Sequence, residues 1–255
     1  MNLNNFINEL NYLIRARYSI INVNTFEEER ALDCIRKIVS PLNKRIITWT
    51  LTNGLEHDGK ALDNKSIDLS NALTMAIELA KEPTIFVWID VHPFFKSQSS
   101  MAYIRKFKEL SQIIRKGLPS NSIILSPVLE IPIELQKEIT LLDFPLPDLN
   151  TTTDIINNFI NCYQGNKNLT IEKSKKVIDD LARAAIGLSQ AEIENSLAKS
   201  LVKNHSISSE EVNLILEEKK QIIRKSGILE YISTENFDLD NIGGLQNLKR
   251  WLQKR

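Results

Sequence analysis

Apolar positions recur with two different periods along the chain, and the changes of period mark its elements. Leu3, Phe6, Ile7, Leu10, Leu13 and Ile14 fall at helical spacing, so an amphipathic helix is expected first. Tyr18 to Asn24 then reads as a short strand. Glu27 to Val39 returns to helical spacing through Ala31, Leu32, Ile35 and Ile38. Arg45 to Leu51 is a second strand, a polar loop runs on through Asn64, and Ser70-Asn71 caps a helix reaching about Lys81. Pro83 to Asp90 (PTIFVWID) is the third strand. Its unbroken run of β-branched and aromatic side chains marks a strand buried on both faces. Such strands belong to parallel sheets covered by helices. A helix from about Ser100 to Lys116 ends at Gly117, and Ser122 to Ser126 and Ile139 to Phe144 supply strands four and five.

Five strands alternating with helices predict an α/β fold, a five-stranded, mostly parallel sheet flanked by helices. The alternation stops at Pro145-Leu146-Pro147-Asp148. Beyond it only helices are expected: Asp154 to Tyr163, then Thr170 to Ala185 ended by Gly187. Capping signals at Ser189-Gln190-Ala191-Glu192 and Ser208-Ser209-Glu210-Glu211 open two more, the last ended by Gly227. The expected division is an α/β domain over 1–148, a helical domain over 149–227, and a linker with the start of another module over 228–255.

Bulk properties narrow the function classes. Lys+Arg 32 balances Asp+Glu 32, which removes any general attraction to nucleic acid. Cys34 and Cys162 lie far apart and fit no metal-ligand spacing, so both are expected as small buried hydrophobes in a reducing compartment. No apolar run is long enough to span a bilayer. No signal or transit pattern opens the chain, which is expected to work where it is made.

In parallel sheets chemistry sits at the carboxyl ends of the strands, and Asp90 is where the third strand emerges. In P-loop NTPases an acid at that place holds the nucleotide's magnesium. A phosphate site also needs backbone N–H groups at a helix start with room for the anion. Here the first strand leads into Asn24-Thr25-Phe26-Glu27-Glu28-Glu29-Arg30, with no glycine. Its three glutamates suit a helix dipole and repel a triphosphate. Gly54 to Ala61 matches the spacing G-x-x-x-x-G-K through Gly54, Gly59 and Lys60. It follows the second strand, carries Glu56 and Asp58 inside the would-be cradle, and has Ala61 where a hydroxyl belongs, so a chance match is expected. Asp90 is followed by Val91 rather than a second acid, and Asp90-Val91-His92 finds no third metal partner. His57 and His205 sit in polar stretches. Neither a catalytic residue nor a metal site is expected in this chain.

The α/β domain, the Pro-Leu-Pro-Asp connection and Gly187-Leu188-Ser189-Gln190-Ala191-Glu192-Ile193 together resemble an AAA+ module with its helical lid. Asp240 to Lys249 resembles the entry segment of a second AAA+ module, ahead of its P-loop. The whole chain is similar to the front half of an AAA-domain family known as a hypothetical chloroplast reading frame, from red-algal plastids and cyanobacteria. The resemblance implies a degenerate first module whose P-loop is lost, and a nucleotide-binding second module. It makes Asp90 the remnant of the magnesium-site acid and Ser126 the remnant of the strand-four sensor. No arginine lies between Ile133 and Glu138, where a finger toward a neighbour would sit. No cofactor is then expected in this chain; ATP and magnesium belong to the missing module. The implied setting is a ring homo-oligomer in the plastid stroma, with the bacterial cytoplasm as the alternative.

The leading expectation is therefore a non-catalytic AAA+-like module serving assembly, regulation or partner binding for a downstream ATPase module. Two alternatives stand beside it: an NTPase with an unconventional site around Lys60 and Asp90, and a nucleic-acid adaptor. The segment from Gly243 to Arg255 is expected to be loosely held, with protease cutting between Ser233 and Gly244.

Overall fold

The computed structural model describes residues 2–97, 100–163, 169–208 and 211–225, together with Gly244, Lys249 and Trp251. The expectation for the tail beyond Ser233 falls on residues that are almost all outside this set.

Among the described residues, seven strands form one sheet: β1 (Ile20–Asn24), β2 (Arg45–Thr50), β3 (Gly54–His57), β4 (Lys60–Ala61), β5 (Thr84–Ile89), β6 (Asn121–Ser126) and β7 (Ile139–Asp143). Their order is β4-β3-β2-β5-β6-β1-β7. The pairs β2–β5, β5–β6, β6–β1 and β1–β7 are parallel. These are the five strands expected from the sequence, with the first placed between the fourth and fifth.

The other two strands correct the expected five. The stretch expected as a polar loop folds back as an antiparallel hairpin, with Thr50 opposite Gly54 and His57 opposite Lys60. Asp58 and Gly59 make its two-residue turn with φ of 50° and 72°. Asp-Gly is the pair best suited to such a left-handed turn. Alternation was too weak there to read as strand: only Gly54 and Leu55 of this hairpin are buried.

Each sheet face has its own core. Ile21, Val23, Ile85, Val87, Ile89, Ile123 and Leu125 pack under α1 (Leu3–Arg15) and α2 (Glu28–Val39). Ile47, Trp49, Phe86, Trp88 and Ile124 pack under α3 (Leu69–Leu79) and α4 (Ser100–Arg115). Strand β5 is buried at every position, Ile85, Val87 and Ile89 on one face and Phe86 and Trp88 on the other. The period of two along a strand produces that division. α3 starts earlier than expected because Asp68, not Ser70, caps it through the Asn71 N–H at 2.9 Å.

Beyond β7, the last acid of Pro145-Leu146-Pro147-Asp148 becomes the cap of α5 (Leu149–Cys162), accepting from the Thr151 N–H at 2.8 Å. The following segment, expected as one helix from Thr170, begins instead with β8 (Thr170–Ile171). α6 (Lys175–Ala185) then starts under a Ser174 cap. α7 (Gln190–Asn204) carries the expected capping box. β9 (Ser206–Ile207) pairs with β8, and α8 (Glu211–Lys225) completes the helical part. These helices share a core of Ile156, Leu181, Ala185, Ile193, Leu197, Ile207 and Ile215, separate from the two sheet cores.

Candidate functional site

The carboxyl ends of β1, β5 and β6 converge on one cavity of about 90 Å³, lined by Thr25, Phe26, Glu28, Ile89, Asp90, Leu125, Ser126 and Pro127. Backbone bonds build it: the Thr25 N–H donates to the Ser126 carbonyl and the Asp90 N–H to the Leu125 carbonyl, each at 3.0 Å. The structure thus brings Asp90 and Ser126 together, with Glu28 between the strand ends. Small-molecule sites usually enclose about 300–1,000 Å³.

Its chemistry is acidic. Asp90 holds a left-handed backbone, φ 53°, and its carboxylate is largely exposed. The Glu28 carboxyl is held above the usual carboxylate range, by partial burial first and then by the charges of Asp90 and Glu29. No lysine or arginine is among the described residues that line this cavity. The Ser126 hydroxyl turns away into the following loop and donates to the Val128 carbonyl at 2.9 Å. His92 Nδ1 lies 3.8 Å from Asp90 Oδ1, beyond hydrogen-bond reach, and is buried without a partner. Among the described residues, no three His, Cys, Asp or Glu side chains gather to hold a metal ion.

The turn between β1 and α2 has no glycine and bonds to itself. The Thr25 hydroxyl accepts the Glu27 N–H at 2.9 Å, and Phe26 stands 86% exposed where a backbone would have to wrap an anion. Glu27 points the other way, into the junction with the helical part. One oxygen accepts the backbone N–H of Gln190, first residue of α7, at 2.7 Å. The other accepts from Arg30. Arg30 also donates to the Pro145 carbonyl and lies over the Phe144 ring, 4.3 Å from its centre. Glu27 and Arg30 are almost buried, with side-chain exposures of 6% and 12%. A helix N-terminus carries unpaired N–H donors and a partial positive charge, and so seats an anion. Here that anion is the protein's own carboxylate.

Lys60 is not part of this site. Strand β3 runs back from the carboxyl end of β2, so the hairpin carries Lys60 toward the amino end of the sheet. In the strand order β4 is three places from β5, a lateral separation of roughly 14 Å. Gly54 and Gly59 serve the two turns of that hairpin.

The parallel strand order with its helical cap is that of an AAA-type ATPase module. Solved structures show the same fold. C. elegans PCH-2 matches with a TM-score of 0.57 at 13% identity, over 86% of this chain and 68% of that one. The FIGL-1 AAA domain, solved in complex with ADP, matches at 0.54 and 11%, over 93% and 78%. The chain belongs to the SpoVK-like AAA ATPase family: residues 6–144 match the model of its N-terminal domain and 152–226 that of its second domain. It is 37% identical over 257 aligned positions to an "Uncharacterized AAA domain-containing protein ycf46" of Trieres chinensis. It is 31% identical to the protein of the same description from Pyropia yezoensis. It spans about half the length of these relatives, 98% of this chain against 48% and 49% of theirs. The expectation that this is their front half is not borne out.

Proposed function

We propose that this chain is a non-catalytic AAA-type module that serves assembly, regulation or partner binding for a catalytic ATPase module in the rest of its parent protein. One observation carries the reading. The Glu27 carboxylate accepts the backbone N–H of the first residue of α7 and so joins the helical part to the start of α2, at the carboxyl end of β1. Two further features support it: the β1–α2 turn has no glycine, and the charged residues that line the strand-end cavity are Glu28 and Asp90. Glu28 at the start of α2 would repel a nucleoside triphosphate, and no lysine or arginine among the described lining residues offsets it. ATP and magnesium belong, in this reading, to the other module.

AAA modules commonly form rings, and a homo-oligomer is the proposed assembly. Among the described residues, no helix is long and apolar enough to cross a membrane. The relatives share the description ycf46, and the resemblance noted in the sequence is to a plastid and cyanobacterial family. The plastid stroma is the proposed compartment, with the bacterial cytoplasm as the alternative.

A thermal-shift titration with ATP and magnesium tests the proposal. A ligand that binds only the folded state raises stability by about 2.7 kcal/mol at a hundredfold excess over its dissociation constant. No saturable shift is expected from this chain. A saturable shift that Asp90→Asn abolishes overturns the proposal and restores the NTPase reading. Asparagine is the substitution of choice because it tolerates the left-handed backbone at this position.

A further inference from the structure

A second, larger opening adjoins the strand-end cavity, and its lining suggests an occupant other than nucleotide. It is a groove of about 630 Å³ between the β2–β3 turn and the segment after β5. Leu51, Ile89, Pro93 and Phe94 form its apolar walls, Thr50, Thr52 and Ser97 its polar rim, and Glu28 and Asp90 its acidic end. Both openings share Ile89, Glu28 and Asp90, so the acidic pair sits where they meet. Leu51 is 58% exposed, an apolar side chain that the fold itself leaves open to solvent. No lysine, arginine or histidine is among the described residues lining either opening.

We propose that this groove docks a segment of a partner polypeptide that carries an arginine or lysine next to an apolar residue. The basic side chain lies between Glu28 and Asp90, and the apolar residue packs on Leu51 and Phe94. Charge complementarity points to a cation: Glu28 and Asp90 line the groove together with no lysine or arginine among its described lining residues, and the Glu28 carboxyl is raised by burial and then by the Asp90 charge. A cation between them relieves that repulsion, and the walls suit the aliphatic stem that a lysine or arginine brings with its charge. Arginine is favoured over lysine because its planar fork of donors serves two carboxylates at once. Phosphate-bearing partners, nucleic acid included, meet the same two charges as repulsion. The inference rests on the proposed role in partner binding and names the chemistry of the partner.

Methyl NMR on the full chain tests it, with Leu-Arg-Leu as the probe peptide, Leu-Gln-Leu as the neutral control and ATP with magnesium as a separate arm. The arginine peptide is expected to shift the Leu51 and Ile89 methyls saturably. The affinity is expected to fall several-fold as salt is raised from about 0.05 to about 0.5 M, because salt shortens the reach of the two charges. It is expected to fall by about tenfold or more in the Glu28→Gln, Asp90→Asn double variant, if the pair acts like other charges truncated at an interface. Unchanged methyl spectra elsewhere show that this variant is folded. Equal binding of the neutral peptide, or shifts that avoid Leu51 and Ile89, overturns the docking proposal. So does an absence of binding by either peptide. In that case a silent ATP arm leaves the non-catalytic reading standing, whereas magnesium-dependent shifts from ATP overturn that reading instead.

Discussion

The Glu27 carboxylate and the Gln190 backbone N–H, 163 residues apart, are joined at 2.7 Å across the junction between sheet and helical part. The bond puts a buried negative charge on the positive end of α7, while Arg30 ties the same carboxylate to the Pro145 carbonyl. Removing one member of such a buried pair leaves the other charge uncompensated, at about 3–5 kcal/mol. Glu27→Ala is expected to lose about 3 kcal/mol in urea denaturation, somewhat less than that upper range because Arg30 keeps Pro145 and the Phe144 ring. Amide exchange at Gln190 and through the first turn of α7 should speed up in step. A variant of unchanged stability with α7 still protected would show that the helical part is held by apolar packing alone.

The hairpin offers a second test, because its two glycines do different things. Gly54 has φ +71°, and an added Cβ would lie 2.6 Å from Ser66 Oγ and 2.8 Å from the Ile67 nitrogen. Ser66 cannot move freely, since its hydroxyl accepts the Leu55 N–H and its carbonyl accepts the Trp49 indole N–H. Gly54→Ala is therefore expected to cost at least about 2 kcal/mol, combining strain and overpacking. Gly59 has φ +72° but nothing within 4 Å, so Gly59→Ala should cost only about 1 kcal/mol. Lys60→Ala should leave stability within about 0.5 kcal/mol of the parent, because Lys60 is exposed in a two-residue edge strand. Equal costs at Gly54 and Gly59 would refute this account of the loop.

How much of this could be read from the chain depended on whether the signal was local. The five parallel strands and α2 were legible because period and caps are properties of neighbouring residues. The acid at the end of β5 was legible because its strand is apolar throughout. The hairpin was missed because Glu56, His57, Asp58, Lys60 and Asp63 hide its alternation, although Asp58-Gly59 is the turn signal that points to it. β8 and β9 were missed because two residues carry no period. Glu27 was noted only as one of three glutamates suited to a helix dipole. That it serves the dipole of α7, not only that of α2, depends on a contact across 163 positions that no spacing encodes. The groove under Leu51 escaped for the same reason, since its walls come from three separated segments.

At the centre of the sheet, Trp88 packs edge-on to Phe107 at 5.4 Å, and its indole N–H donates to the Ser122 hydroxyl at 2.8 Å. Both residues are fully buried. Trp88→Ala empties a large aromatic site and should cost roughly 3–5 kcal/mol, read from the midpoint of urea unfolding. Trp88→Phe keeps much of the volume but orphans the Ser122 hydroxyl, so its cost should fall clearly below that of alanine. A Trp88→Ala loss under about 1 kcal/mol would mean that the core around β5 recloses on the gap.

Glu138 gives the chain a predictable response to acid. Burial alone would raise its carboxyl, but hydrogen bonds from Ser111 and Arg115, with the charges of Arg115 and Lys108, outweigh it and hold the carboxyl below its ordinary value. The Ser111 hydroxyl lies 2.9 Å and the Arg115 guanidinium 3.0 Å from the same oxygen. Ser111 in turn bonds Ser19 at the start of β1, so the carboxylate ties α4 to the sheet. A depressed carboxyl binds its proton less readily folded than unfolded, so its ionised form favours the folded state. That contribution is complete above the unfolded value of about pH 4.3 and disappears as pH falls through the lower folded value. Glu138→Gln should therefore be less stable than the parent at neutral pH, and the gap should close on acidification through that window. Urea midpoints for both proteins between neutral pH and about pH 3 measure it. A gap that stays constant with pH would show that Glu138 acts by packing rather than by charge.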